Sequence, residues 1–349
     1  MKGQLIRGSD GAMRLREQCR TGLQWQFKTL EWRFAVTISA SDMRIDNFQN
    51  ETATVNGIRL HYWLGGDPAG PPVLLWHGFP GTSYTWHRVM PLLAKAGYAV
   101  LAPDMRGYGD SDKPSGTMGY DARSLAEEFR SLVRQIGFGA GRALTLVAHD
   151  KGGPPALLWT ADHPDEILGV LYIEAPVMLK EVIEAINSFT PDAVKKGSKW
   201  WWTLPLATGV PECLIVGKER EFLNLFYKGP AVAKQDAITP EVIEEYLRTF
   251  SGTEGVLGAL GVYRAVFNTI EQTTPLMTKK IMRPIVGIGG ERSLGAEVGR
   301  YVSMVASNST SLVLPGCGHF VPEECPEAVF KQIQSFVAWQ TLRRSLLIG

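Results

Sequence analysis

The seven residues Val147-Ala148-His149-Asp150-Lys151-Gly152-Gly153 constrain this chain more than any other stretch. An apolar run, Ala143-Leu144-Thr145-Leu146-Val147, leads into a small residue, then a reactive side chain, then two glycines that open a helical pattern. A sharp strand-to-helix turn of this kind lifts one side chain above a sheet edge, and it needs small neighbours because it brings backbones close together. The lifted residue is Asp150. A serine at such a turn requires a base before it attacks, whereas a carboxylate, with an ordinary pKa of about 3.9, is ionised near neutrality. Attack by a carboxylate on an acyl carbon yields a reactive anhydride. Attack on a saturated carbon yields an ordinary ester that water cleaves. Asp150 therefore points to a substrate with an electrophilic sp3 carbon, such as an epoxide or an alkyl halide.

Around this turn the chain alternates strand and helix signals. Thr52–Val55 and Ile58–Leu64, separated by Asn56-Gly57, read as an antiparallel hairpin. A short apolar strand at Val73–Trp76 ends on His77-Gly78-Phe79-Pro80-Gly81. A helix is expected over Trp86–Lys95, a strand at Tyr98–Ala102, and then a turn-rich loop, Pro103 to Pro114. Helix Asp121–Ile136, strand Ala143–Val147, helix Pro154–Asp162 and strand Leu168–Ile173 follow. Such alternation argues for a parallel sheet covered on both faces. Between about Ala175 and Met282 the strand signals lapse and helical periodicity takes over, as in Pro240 to Leu247. Strands resume at Pro284–Ile288 and Ser311–Leu314, and a helix is expected over Pro326–Trp339. The organisation expected is a helical lid, 176–282, inserted into an α/β core made of 48–175 and 283–349. Residues 1–47 stand apart, with a net charge of +3 and a short helix or strand expected around Leu23–Ile38; they read as a non-catalytic extension.

Four signals in this order resemble the α/β-hydrolase fold: the His-Gly loop after an early strand, Asp104-Met105-Arg106-Gly107-Tyr108-Gly109-Asp110-Ser111, the Asp150 turn, and Gly316-Cys317-Gly318-His319 after the last strand. More narrowly they resemble its epoxide hydrolase and dehalogenase branch with an aspartate nucleophile, most of all bacterial epoxide hydrolases. The resemblance runs from about Asn47 onward and implies a mostly parallel eight-stranded sheet flanked by helices, with a helical cap inserted after strand 6. It implies His319 as the base that activates water against the ester. The acid that orients such a histidine commonly follows the seventh strand, where this chain has Ser293 within Gly289-Gly290-Glu291-Arg292-Ser293. Glu174, just after the sixth strand and 24 residues beyond Asp150, matches an alternative acid site in the family, with Glu291 the lesser candidate.

By the same resemblance the backbone amides of Phe79 and Lys151 form the oxyanion hole. Haloalkane dehalogenases typically carry Trp where this chain has Lys151, and often Asn where it has Phe79. Fluoroacetate dehalogenases carry an Asp-Arg-Gly-Gly-Arg turn; Asp150-Lys151-Gly152-Gly153-Pro154 keeps one cation and loses the second. Epoxide opening leaves an alkoxide that needs donors. Val262-Tyr263-Arg264-Ala265 resembles the lid segment that supplies the later tyrosine, and the earlier partner falls at Trp200, with Trp201 beside it. An indole N–H donates a hydrogen bond without serving as an acid, and packing of the lid is the alternative role for this aromatic run. His149, Asp104 and Asp110 read as bracing residues.

Composition excludes several classes. A 349-residue chain with 45% hydrophobic residues has ample material for a core. A net charge of +1 without a basic run speaks against nucleic acid, and no apolar run approaches the ~20 residues of a membrane span. Cys19, Cys213, Cys317 and Cys325 lack the spacing of a disulfide framework or metal site, so they are expected as free thiols in a cytoplasmic protein. The activity expected is epoxide hydrolysis to a vicinal diol on an apolar or aromatic substrate, without metal or organic cofactor, by a monomer or homodimer. A haloacid or haloalkane dehalogenase using Asp150, His319 and Glu174 is the first rival, and a non-hydrolytic ligand-binding protein on the same fold the second.

Overall fold

The computed structural model describes residues 44–188, 190, 191 and 200–348. The segment expected around Leu23–Ile38, and Cys19, lie outside the described residues. The Asn56-Gly57 signal sits where β1 (Phe48–Val55) turns into β2 (Ile58–Gly66), with Val55 opposite Ile58. Both turn residues have positive φ, 51° and 81°, which gives a two-residue turn the twist of the flanking strands. β1 extends four residues further back than its sequence suggests. It is a mostly exposed edge strand, so its outer half carries no apolar alternation to read.

Strands β3 (Pro72–Trp76), β4 (Ala99–Pro103), β5 (Leu144–His149), β6 (Ile167–Ile173), β7 (Ile285–Gly290) and β8 (Ser309–Leu314) complete an eight-stranded sheet in the order β1-β2-β4-β3-β5-β6-β7-β8. β2 runs antiparallel to β1 and β4, and every later pairing is parallel. β3, β4 and β5 are buried along their whole length, which is why they read as continuous apolar runs rather than alternating ones. Short α1 (Met90–Lys95), α2 (Ala122–Gln135) and α3 (Gly153–Asp162) belong to the flanking layers. The helix expected from Trp86 begins at Met90 instead. Pro91 occupies its first turn, where a missing N–H costs nothing, and Ser83–Trp86 form a separate 3-10 turn. α2 is capped as its sequence suggests, with the Asp121 carboxylate accepting from the Ser124 amide.

Between β6 and β7 the described residues form helices and no named strand: α4 (Lys180–Ile186), α5 (Trp200–Thr203), α6 (Val210–Ile215), α7 (Glu219–Tyr227), α8 (Pro240–Phe250), α9 (Gly252–Arg264) and α10 (Val266–Thr273), with one isolated bridge from Ile281 to Ala306. On α8 the buried residues Val242, Ile243, Tyr246 and Phe250 recur at three- and four-residue spacing and form its inner stripe. This helical insertion is tied to the loops of the core. The Tyr108 hydroxyl donates to the Ala259 carbonyl at 2.7 Å, Arg248 binds both oxygens of Asp110 at 2.8 and 2.5 Å, and the Tyr246 hydroxyl donates to Glu323 at 2.6 Å. α11 (Glu297–Val305), α12 (Val321–Glu324) and α13 (Pro326–Ile348) complete the core. No described helix is long and apolar enough to cross a membrane.

One composition-based expectation is overturned. Cys317 and Cys325 are bonded to each other, with Cα atoms 6.3 Å apart, while Cys213 is free and exposed. The pairing has no sequence signature because the turn of α12 brings the two backbones within disulfide range. With this pair bonded, thiol chemistry no longer argues for a reducing compartment.

Candidate active site

The turn after β5 places Asp150 with φ 48°, a strained left-handed conformation for a side chain with a Cβ. Two close approaches hold it there. A Cβ on Gly78 would lie 2.4 Å from the Cβ of Asp150, and one on Gly152 would lie 2.7 Å from the His77 carbonyl oxygen. Asp150 is 9% exposed, and its Oδ1 accepts from the Phe79 amide at 2.9 Å. One of the two amides expected in the oxyanion hole therefore already faces the carboxylate.

The loop after β8 brings His319 to this edge. Its Nε2 lies 3.8 Å from Asp150 Oδ2 and its Nδ1 3.2 Å from Glu174 Oε2. Glu174 is fully buried, with φ 49°, at the end of β6. Its Oε1 accepts from the amides of Gly290 at 2.6 Å and Leu294 at 3.1 Å, which flank the turn carrying Glu291 and Ser293. Glu174 thus reaches under that turn from the neighbouring strand. Glu291 is exposed and accepts from the Gly316 amide instead. With Nδ1–H directed at Glu174, Nε2 keeps its lone pair on the Asp150 side, the tautomer a base needs to take a proton from water.

The bracing residues behave as such. His149 Nε2 donates to the His319 carbonyl at 2.9 Å, and burial pushes its imidazole down to about 4, so it is neutral at physiological pH. Asp104 accepts from the amides of Ser83 and Asp110 and from His61, which occupies both of its oxygens.

Sequence reasoning misses two residues. Glu324, on α12, is buried, and its carboxylate accepts from four amides: Gly318 at 3.1 Å and Phe320 at 3.0 Å on either side of His319, and Ala233 at 2.7 Å and Lys234 at 3.0 Å in the helical insertion. The His319 amide itself donates to the Ala231 carbonyl at 2.8 Å. The His319 loop and the insertion are thereby stitched together. The available signal is the pair Glu323-Glu324 within an otherwise apolar stretch, five residues after His319.

The second is Trp202. Trp200 packs against Phe222 and Phe226, and Trp201 against Phe226, at ring-centroid distances of 5.8–6.0 Å; Phe226 in turn meets Phe79 at 5.3 Å. Trp200 and Trp201 thus join the aromatic wall, whereas the indole beside Tyr263 is that of Trp202, at 5.5 Å. Three adjacent residues on a helix point about 100° apart, so the run could not say which one faces the tyrosine. Tyr263 itself is buried, 5.1 Å from the Phe79 ring, and burial, with the nearby Asp150 charge, raises its phenol well above the ordinary value.

Residues 71–203 match the family model described as the alpha/beta hydrolase fold. The chain is 30% identical to the soluble epoxide hydrolase of Corynebacterium sp. (strain C12) over 82% of its own length and 96% of that protein, and 28% identical to the fluoroacetate dehalogenase of Burkholderia sp over 84% and 95%. Among solved structures it is similar to Cfl2 wild-type from Burkholderia cenocepacia, with a TM-score of 0.77, 30% identity, and coverage of 84% of this chain and 97% of that one. The chain belongs to the α/β-hydrolase superfamily, in its epoxide hydrolase and dehalogenase branch.

Proposed function

We propose that this hydrolase opens an apolar or aromatic epoxide to a vicinal diol. The observation that carries the reading is a carboxylate, not a hydroxyl, at the strained turn, with one imidazole bridging it to a second, buried carboxylate. Asp150 attacks a ring carbon, forming an ester, and the ring C–O bond breaks towards its oxygen. Tyr263 donates its hydroxyl proton to that oxygen, with Trp200 or Trp201 as the expected second donor; the position of Trp202 against the Tyr263 ring makes its indole a third candidate. His319, oriented by Glu174, then takes a proton from water, which attacks the ester carbonyl while the amides of Phe79 and Lys151 hold the oxyanion. The insertion, 176–282, serves as a cap on the core made of 48–175 and 283–349, and residues 1–47 take no part in catalysis. The aromatic wall of Phe79, Trp200, Phe222, Phe226 and Phe250 supports an apolar or aromatic substrate. No cofactor enters this chemistry, and a monomer or homodimer suffices for it.

The rival use of the same residues is displacement of halide, as the name of the Burkholderia relative suggests. Product analysis on a panel of aryl and alkyl epoxides and halogenated acids separates the two. Diol formation without comparable halide release is expected. Halide release with every epoxide recovered intact would overturn the epoxide reading.

A further inference from the structure

Lys151 directly follows the nucleophile, yet its side chain has no part in the reading above. It is 6% exposed and turns into the helical insertion, where its Nζ lies 3.4 Å from the centroid of the Trp202 ring and 3.8 Å from that of Tyr263. A cation over the face of a ring is attracted by the ring quadrupole, most strongly where water is excluded. Resting on the epoxide reading, we propose that Lys151 is a positioning residue that acts through Tyr263: its ammonium, held on the phenol face, stabilises the negative charge that grows on Tyr263 as the hydroxyl donates to the opening epoxide.

Burial makes that assistance necessary. The desolvated Tyr263 phenol is a weaker acid than a free one, and the Asp150 charge weakens it further. A positive charge on its face opposes both effects during ring opening. The electron pair of the breaking C–O bond passes to the substrate oxygen, which takes the Tyr263 proton. Lys151 keeps its own protons throughout. The phenolate recovers a proton in the second half-reaction, when His319 removes one from the attacking water, so the overall reaction remains epoxide plus water to diol. The tyrosine stays in place because the same ammonium also sits on Trp202, whose ring meets that of Tyr263 edge-to-face at 77°, so the three side chains form one cluster spanning the turn and the insertion.

The titratable groups facing the ammonium among the described residues are Asp150 on its own turn, Tyr263 from α9, and Tyr120 across a small cavity that Lys151 also lines. Burial pushes the Lys151 amine down to about 7, against the opposing pull of Asp150. The charge on Lys151 is therefore present below about pH 7 and lost above it. Ester formation should follow the same trend, opposite to a base-catalysed step.

The test measures single-turnover adduct formation with styrene oxide in a His319→Gln background, which removes ester hydrolysis and the His319 titration. With Lys151 intact, the rate should fall about tenfold between pH 6 and pH 8.5, centred near 7. Lys151→Met, whose unbranched apolar chain suits the same box, should be slow and flat across this range. Lys151→Arg, charged throughout, should hold the faster rate to pH 8.5. If Lys151→Met keeps the parent's pH profile, or forms adduct as fast as Lys151→Arg at pH 6, the proposal is wrong while the epoxide reading stands. Absence of any adduct in the parent would overturn both.

Discussion

At the scale of single residues, the proposed mechanism gives two carboxylates different roles. Asp150 and Glu174 share the same chemistry and lie on either side of one imidazole, yet their surroundings differ. Glu174 is fully buried and accepts from two amides, while Asp150 sits at the open edge with one amide on Oδ1. A carboxylate so engaged is suited to orient and charge-balance the histidine, and the one with the more accessible oxygen is suited to attack. Glu174→Gln keeps an acceptor for the Gly290 amide but loses the charge that stabilises an imidazolium. It should slow ester hydrolysis by roughly 100-fold or more, by analogy with acid-to-amide changes in other triads, and change ester formation little. Glu291→Gln, on an exposed side chain bonded to the Gly316 amide, should change neither step by more than about twofold. Single-turnover kinetics that separate adduct formation from its decay decide the matter, and a larger effect at Glu291 would reverse the assignment. These residues were legible because each sits at a fixed offset from a strand end with small neighbours. Trp202 and the stacking of Lys151 were not, because they depend on how helices of the insertion turn against the core.

At the scale of elements, α12 links the two halves of the site. Its Glu324 accepts from amides that flank His319 and from amides of the insertion, so the His319 loop and residues 233 and 234 share one anchor. Hydrogen bonds to a charged group contribute roughly 1.5–3 kcal/mol each, and leaving buried donors unmet costs a similar amount. A glutamine has one acceptor oxygen where the carboxylate has two. Glu324→Gln should therefore lower the melting temperature by several degrees and slow ester decay about tenfold, with ester formation nearly unchanged, because Asp150 lies on a different turn. Equal slowing of both half-reactions would show a general loss of structure rather than a displaced base. No periodic pattern announces such an anchor. Five residues separate Glu324 from His319, and its other partners lie about 90 residues away in sequence. The helix expected at Trp86 fails for a related reason, since Pro91 sets where the helix starts and the apolar pattern alone does not.

At the scale of the whole molecule, the alternation of strand and helix signals made the layered sheet legible, and the lapse between β6 and β7 made the helical insertion legible. The strand order, with β4 between β2 and β3, was not, because neighbours in a sheet are chosen by crossover connections that leave no local trace. The Cys317–Cys325 bond was hidden for a local reason, since the short turn of α12 that brings the two cysteines together carries no spacing signature. What unites the scales is the proposed ester between substrate and Asp150 at the turn. The most direct measurement of that step is the intact mass of His319→Gln protein after exposure to styrene oxide, followed by peptide mapping. A mass increase of one epoxide per chain is expected, located on the peptide that contains Asp150 and absent from an Asp150→Ala, His319→Gln double variant. Full turnover by Asp150→Ala alone, or an adduct that maps elsewhere, would contradict it.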